Sequence, residues 1–175
     1  MLISVGGGAA GKLLVDAAVE AAARTSRDKR WCLITGPNLP QADFDAASAK
    51  APENLAIVRF RKDFPALLGS AELSVSQAGY NTVCDILQAG CRSILVPFAA
   101  GGETEQTVRA ERLQRLGLAL SLPEDALSSS SLVTAIERQL TLPKPGSHRL
   151  DLDGARKSAQ VLRELMAKVT PSRSA

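Results

Sequence analysis

Short apolar runs alternate along most of the chain with longer stretches in which apolar residues recur at helical spacing. The first run, Leu2 to Val5, is followed by three glycines and then by apolar residues three and four positions apart from Lys12 to Ala23. This pattern is typical of a strand, a tight turn and a helix. Further apolar runs predict five more strands, over Trp31–Ile34, Leu55–Val58, Leu73–Val75, Ile94–Val96 and Leu118–Leu122. Helices are predicted over Ala42–Ala49, Asp63–Leu68, Tyr80–Ala89, Glu103–Leu116, through Leu132–Leu140 and from about Asp153.

The order of these elements predicts an α/β fold. The apolar runs are too short and too continuous for strands with one solvated face, which favours a parallel sheet with helices on both faces. Six strands in this order predict a doubly wound, Rossmann-like sheet of order 3-2-1-4-5-6. We expect a domain over residues 1–142, a connection over 143–152, and a C-terminal helix and tail of the same domain over 153–175. The last helix has one apolar stripe, which predicts that it packs on the domain or on a partner.

Composition narrows the class of protein. The 175 residues are 45% hydrophobic and 22% charged, which is typical of a globular domain. One histidine and three cysteines without a Cys-x-x-Cys pair cannot form a zinc-type ligand set, so we expect no metal. Aromatic residues make up 3%, too few for stacking on bases, and the net charge of +3 is scattered, so we expect no nucleic-acid partner. We expect His148 to be a surface residue.

The N-terminal residues show no signal peptide, and no apolar run approaches the roughly 20 residues that cross a bilayer. We therefore expect a cytoplasmic location.

The glycine-rich segment from Gly6 to Lys12 is open to three interpretations. Its glycine spacing fits a dinucleotide-binding turn, but the acidic residue expected at the end of the second strand is missing. It also nearly fits an ATP-binding P-loop, but Leu13 stands where a Ser or Thr would bind magnesium. In the third interpretation the glycines only turn the chain. In all three, unpaired N–H groups at a helix N-terminus suit a phosphate.

Two later stretches place polar residues at the ends of neighbouring strands. Ser76 to Ile86 contains a second turn with a glycine, Gly79, and an acid, Asp85, one and a half turns into the helix. In the predicted sheet this turn and the first one face one crevice. The third stretch leaves the fifth strand and opens a helix with Glu105 beside Gln106. A carboxylate next to an amide can accept from and donate to vicinal sugar hydroxyls, although both residues are also ordinary in a first helical turn.

Together the three stretches resemble the C-terminal, donor-binding domain of GT-B glycosyltransferases of the MurG-like family 28, from Leu2 to about Leu140. The most specific part runs from Phe60 to Ala110, including the Gly79-x-x-Thr82-Val83-x-Asp85-Ile86 helix start and Glu105-Gln106. The resemblance implies an inverting glycosyltransferase that takes a UDP-sugar as substrate, with no cofactor. This chain departs from the family pattern in having Gly8 where a serine is frequent and Asp85 where a glutamate is usual.

The resemblance also implies roles for individual residues. The first turn is expected to meet the diphosphate, the second turn the phosphates and ribose, the residue after Phe60 the base through its main chain, and the polar pair the donor sugar. The residues with these implied roles are Gly7, Gly8, Arg61, Gln77, Gly79, Thr82, Asp85, Glu105 and Gln106. Asp85 matches the acid that holds the ribose hydroxyls.

The resemblance places the catalytic base and the acceptor site in another domain. We therefore expect the chain to be inactive alone and to act with an N-terminal acceptor-binding domain or a separate partner subunit. Peripheral contact with the inner face of the membrane through that other half is left open. Two alternatives also stay open: one half of a UDP-sugar epimerase, and a non-enzymatic nucleotide-binding module of the Rossmann type.

Overall fold

A computed structural model of the chain describes residues 1–6, 11–146, 148 and 150–169. It contains six strands and seven α-helices among those residues. The strands are β1 Leu2–Ser4, β2 Trp31–Ile34, β3 Leu55–Val58, β4 Ser74–Ser76, β5 Ser93–Leu95 and β6 Leu120–Ser121. The helices are α1 Lys12–Arg24, α2 Gln41–Lys50, α3 Phe64–Ser70, α4 Tyr80–Ala89, α5 Glu105–Arg115, α6 Ser129–Thr141 and α7 Gly154–Val169.

All six strands are parallel and lie in the order β3-β2-β1-β4-β5-β6, so the predicted fold class and strand order are confirmed. The sheet has an apolar core on each face. Residues of α1 and α6 pack with Ile3, Val75 and Ile94 on one face. Residues of α3, α4 and α5 pack with Leu2 and Leu95 on the other. Because helices cover both faces of the sheet, side chains on both sides of each strand are buried, which explains the continuous apolar runs in the sequence.

Two strand bounds differ from the sequence prediction because buried serines belong to the strands: β4 ends at Ser76 and β5 begins at Ser93. β4 and β5 include Ser74, Ser76 and Ser93, and each of these serines is at most 1% exposed. The Ser74 and Ser93 hydroxyls lie 3.0 Å apart and form a hydrogen bond between the two strands. A search for apolar runs misses Ser93, since a hydroxyl with a partner is tolerated in a core. Ser76 Oγ, in contrast, is buried without a hydrogen-bond partner among the described residues. β6 is also shorter than predicted, with two residues.

The serine-rich segment before α6 is a helix start. Ser128 Oγ accepts from Ser131 N at 3.1 Å, and Ser131 Oγ accepts from Ser128 N at 2.8 Å, which together form a capping box. The Arg24 guanidinium donates to the Ser129 and Ser130 hydroxyls at 3.1 and 2.7 Å. These bonds join the end of α1 to the start of α6 on one face of the sheet.

The apolar stripe of the last helix is largely exposed. The side chains of Val161, Leu162 and Leu165 in α7 are 54%, 60% and 53% exposed. The prediction that the apolar stripe of this helix packs on the body of the domain is therefore not met at these three residues. Packing on a partner stays a prediction.

Candidate functional site

A cleft of about 260 Å³ opens at the carboxyl ends of the strands. β1 and β4 are neighbours there, with Ser4 paired to Ser76, and Gln77 N donates to Ser4 O at 3.2 Å. The strand order reverses at this point, and doubly wound sheets bind their ligands in the crevice so formed. Residues that follow β1, β2 and β3 line the cleft together with the first two turns of α4.

The first turn leads from β1 into α1. Gly6 lines the cleft with a φ of +76°, a left-handed conformation that favours glycine. Gly11 is the N-cap of α1, and no side chain caps this helix start. Gly7 and Gly8, for which we predicted a role at the diphosphate, lie outside the described residues, so that role stays a prediction.

The second turn leads from β4 into α4. Gly79 is the N-cap of α4 with extended backbone, and no side chain caps this helix start either. A Cβ built on Gly79 has nothing within 4 Å, so the space over the turn is open. Gln77, which we predicted to contact the ligand, is buried, with 8% of the residue exposed. Its Oε1 lies 3.0 Å from the position that a Cβ on Gly6 would occupy. The Gln77 side chain therefore packs between the two turns.

One face of α4 brings three polar side chains to the cleft. Asn81, Thr82 and Asp85 all line it, as expected for residues three and four apart on a helix. Asp85 is half-buried. The first turn of α4 contains no acidic residue, so the positive end of the helix faces the cleft without a carboxylate on its first turn.

The residues after β3 form the opposite wall. Arg61 donates from Nε and Nη2 to the two Asp63 oxygens at 2.8 and 2.6 Å. These hydrogen bonds from the Arg61 guanidinium hold the pKa of the Asp63 carboxyl below its usual value. The Arg61 side chain is thus engaged with its neighbour. Phe60 also lines the cleft, and its aromatic ring is accessible, with the residue 66% exposed; the sequence pattern predicted no contact for this side chain.

Arg59 shapes the cleft from the side of β2. Its guanidinium donates to Leu39 O at 2.9 Å and to Gln41 Oε1 at 2.7 Å, and it lies 4.5 Å from the centre of the Phe44 ring. These contacts tie the loop between β2 and α2 to the end of β3. Sequence reasoning missed Arg59 because these partners lie 15 to 20 positions away in the chain.

Glu105 and Gln106 lie outside this cleft, at the start of α5. Glu105 is 72% exposed and lines a neighbouring groove between α4 and α5. Its main-chain N–H donates to Glu103 Oε1 at 2.7 Å, which explains why α5 starts two residues later than predicted. Gln106 Oε1 accepts from Phe98 N at 3.2 Å. That bond orients the amide, so the Gln106 NH₂ group points away from Phe98 N and can donate elsewhere.

Arg109, which the sequence reading did not single out, connects the second turn to Glu105. Its Nη1 donates to Ala78 O at 2.6 Å, and its Nη2 forms an ion pair with the Glu105 carboxylate. The guanidinium carbon lies 5.8 Å from the centre of the Tyr80 ring. One side chain thus links the Asp85-lined side of the site to α5.

His148 lies at the other end of α4. It is half-buried, with Nε2 3.2 Å from Leu87 O in the last turn of that helix. The prediction of a surface residue is therefore wrong, because the connection after α6 folds against the end of α4. Within the described residues no group of three or more His, Cys, Asp or Glu side chains could hold a metal ion.

The sequence matches the glycosyltransferase family 28 C-terminal domain over residues 2–160. The chain belongs to this family. The UDP-N-acetylglucosamine--N-acetylmuramyl-(pentapeptide) pyrophosphoryl-undecaprenol N-acetylglucosamine transferase of Gloeobacter violaceus is 30% identical over 174 residues, which cover 93% of the chain and 48% of that protein. The enzyme of the same description from Nostoc punctiforme is 29% identical, with 94% and 47% covered. The family 28 domain therefore spans about half the length of these curated relatives.

Solved glycosyltransferases share the fold of this family 28 domain. The calicheamicin glycosyltransferase superposes with a TM-score of 0.69 at 22% identity, over 97% of this chain and 44% of that one. MurG of Acinetobacter baumannii superposes with a TM-score of 0.66 at 24% identity, over 79% and 42%. The architecture is that of one half of a GT-B glycosyltransferase. No helix in the described part of the family 28 domain is both long and apolar enough to cross a membrane.

Proposed function

We propose that this chain is the donor-binding domain of an inverting glycosyltransferase and that its ligand is a UDP-sugar. The observation that carries the proposal is the cleft at the point where strand order reverses. Gly6 of the first turn, the uncapped first turn of α4 and the half-buried Asp85 line it, in a chain of family 28. The relatives that share the family are named for UDP-N-acetylglucosamine, so this is the first donor to test.

The two helix starts suit the diphosphate. Neither α1 nor α4 has an acidic residue in its first turn or a side chain that caps it. Their main-chain N–H groups and positive dipole ends can therefore bind an anion. When the sugar is transferred, negative charge develops on the departing UDP, and groups already oriented toward that charge stabilise the transition state.

Asp85 suits the ribose. A carboxylate only accepts hydrogen bonds, so it pairs naturally with the two ribose hydroxyls as donors. Its place on the cleft-facing side of α4, with Thr82 one turn earlier, puts it next to the helix start that would hold the phosphates. The open wall formed by Phe60 and the main chain at Arg61 leaves room for the base.

Glu105 and Gln106 would bind the sugar hydroxyls. Gln106 has its carbonyl oxygen engaged by Phe98 N, which leaves the NH₂ group to donate to a hydroxyl. Glu105, exposed at the start of α5, would accept from another. The acceptor site and the catalytic base would come from a further domain or subunit, in keeping with the coverage of about half of each relative.

Calorimetric titration of the chain with UDP, UDP-N-acetylglucosamine, NAD and ATP tests the proposal. We expect saturable binding of both uridine nucleotides and none of NAD or ATP. Asp85→Ala should weaken UDP by about tenfold, the loss of about 1.4 kcal/mol of hydrogen bonding to a charged group. Asp125→Ala, which removes an exposed aspartate before α6, is the matched control and should leave the affinity unchanged.

A second ligand makes the role of Asp85 specific. The wild-type chain should bind 2′,3′-dideoxy-UDP about tenfold more weakly than UDP, whereas Asp85→Ala should bind the two equally, because the partner of the hydroxyls is gone. Binding of NAD or ATP without binding of UDP would overturn the proposal in favour of a different nucleotide module. An unchanged preference for UDP in Asp85→Ala would exclude the ribose contact.

A further inference from the structure

Arg109 is largely enclosed by its neighbours. Its side chain is 18% exposed, while that of its ion-pair partner Glu105 is 72% exposed. The guanidinium donates to Ala78 O at 2.6 Å and lies 5.8 Å from the Tyr80 ring centre. The buried end of the ion pair is therefore the arginine, held by the segment that joins β4 to α4.

The planar guanidinium can serve two partners at once. Nη1 donates to Ala78 O in the second turn, and Nη2 donates to the Glu105 carboxylate on α5. Arg109 therefore links the segment between β4 and α4 to the start of α5. A lysine ammonium is a point charge on a flexible stem and lacks this fixed fork. An exposed glutamate without such a partner would sample several rotamers, and ordering it on ligand binding would cost free energy.

The charge of Arg109 also matters beside a diphosphate. The Glu105 carboxylate would repel the phosphates of a donor bound at the two helix starts. The adjacent guanidinium offsets this repulsion, since opposite charges a few ångströms apart largely cancel at longer range. Glu105 can then accept from a sugar hydroxyl at little electrostatic cost to the diphosphate.

We propose that Arg109 is a positioning residue for the donor sugar: it holds the Glu105 carboxylate in place against the second turn, so that the sugar hydroxyls meet an ordered acceptor. This inference rests on the proposed function. It predicts that Arg109 matters for the sugar part of the donor more than for the nucleotide part. A residue that only stabilised the fold would affect UDP and the UDP-sugar equally.

Calorimetric titration with UDP and with UDP-N-acetylglucosamine separates these cases. For Arg109→Met we expect the affinity for UDP-N-acetylglucosamine to fall about tenfold and that for UDP to fall less than about threefold. Arg109→Lys keeps the charge and loses the fork, so its loss for the UDP-sugar should be intermediate. Arg115→Met, an exposed arginine in the last turn of the same helix, is the control and should change neither affinity.

Combining Arg109→Met with Glu105→Gln tests whether Arg109 affects UDP-sugar binding through Glu105. If Arg109 acts through Glu105, Arg109→Met should cost much less UDP-sugar affinity in the Glu105→Gln protein than in the wild type. The melting temperature of each variant identifies any that fails to fold, and Arg109→Lys then carries the comparison.

The outcomes separate this inference from the proposed function. Equal losses for UDP and the UDP-sugar, or a variant that binds like Arg115→Met, would overturn the role of Arg109 while leaving the uridine nucleotide site intact. A wild-type chain that binds neither uridine nucleotide would overturn the proposed function, and the role of Arg109 with it.

Discussion

Replacing Gly11 by alanine tests how tightly α1 is set against β1. Gly11 is the buried N-cap of α1. A Cβ built on it overlaps Val5 Cγ1 and lies 3.2 Å from Val5 Cβ. Val5 is 1% exposed and belongs to the core on the α1 side of the sheet, so it cannot turn away without displacing neighbours. We therefore expect Gly11→Ala to push α1 away from β1 or to force Val5 into a poor rotamer.

The overlap sets the size of the effect. Overpacking a dense core costs about 1 to 3 kcal/mol, and an overlap with a fully buried methyl group belongs at the upper end, at about 3 kcal/mol. For a chain of this length, each kcal/mol lowers the melting temperature by about 2 to 4 °C. The expected fall for Gly11→Ala is therefore about 6 to 12 °C. Because the turn that leads into α1 contains Gly6, which lines the cleft, the same shift should also weaken UDP binding.

Urea unfolding followed by the fluorescence of Trp31 measures the free energy of unfolding. Trp31 is the only tryptophan of the chain and is 2% exposed, so its emission reports on the core. The control is Gly69→Ala in α3, where a built Cβ has nothing within 4 Å. We expect no loss there, because alanine favours a helix over glycine.

A second protein background, Val5→Ala, tests whether the overlap with Val5 causes the loss of stability. In a Val5→Ala protein the overlapping methyl groups are absent, so Gly11→Ala should cost at least about 1 kcal/mol less than it does in the wild type. Wild-type stability of Gly11→Ala, or the same loss in both backgrounds, would refute the argument that close packing of α1 on Val5 requires a glycine.

Two further predictions concern other parts of the domain. Arg59→Met removes the hydrogen bond to Leu39 O and frees the loop beside the cleft. We therefore expect the free energy of unfolding in urea to fall by about 1 to 2 kcal/mol and UDP binding to weaken. The control Arg27→Met breaks only an exposed ion pair and should change neither quantity. Burial raises the pKa of the Cys91 thiol above its usual value of 9.0, because the buried site disfavours the charged thiolate. The contribution of the neutral Cys91 thiol to the free energy of unfolding is therefore fully present below pH 9.0 and is lost as the pH rises through the folded-state pKa. At pH 8 iodoacetamide should therefore label the half-buried Cys84 in the folded protein and Cys91 only after unfolding. Mass spectrometry of the peptides measures the labelling of each cysteine. Rapid labelling of Cys91 in the folded protein would contradict its burial.

Much of the fold could be predicted because burial leaves a local pattern. Continuous apolar runs identified all six strands, and Gly90, which ends α4 with a φ of +60°, was recognisable as a helix stop. The start of β5 at Ser93 was missed because the Ser93 hydroxyl is satisfied across the sheet, and a polar residue with a buried partner looks exposed in sequence. His148 was misjudged for a related reason, since its partner, Leu87 O, lies 61 positions away.

By itself the sequence determined the fold class, the strand order and two of the chain segments that line the cleft, those after β1 and β4, because each depends on the spacing of apolar residues and glycines within one element. The tertiary structure alone decided which polar groups meet. It placed Arg109 between Ala78 O and Glu105, set Arg59 on the loop after β2, and separated Glu105 from the cleft that Asp85 lines. Such contacts join residues far apart in the chain, and their geometry follows from how helices and strands pack rather than from any local pattern.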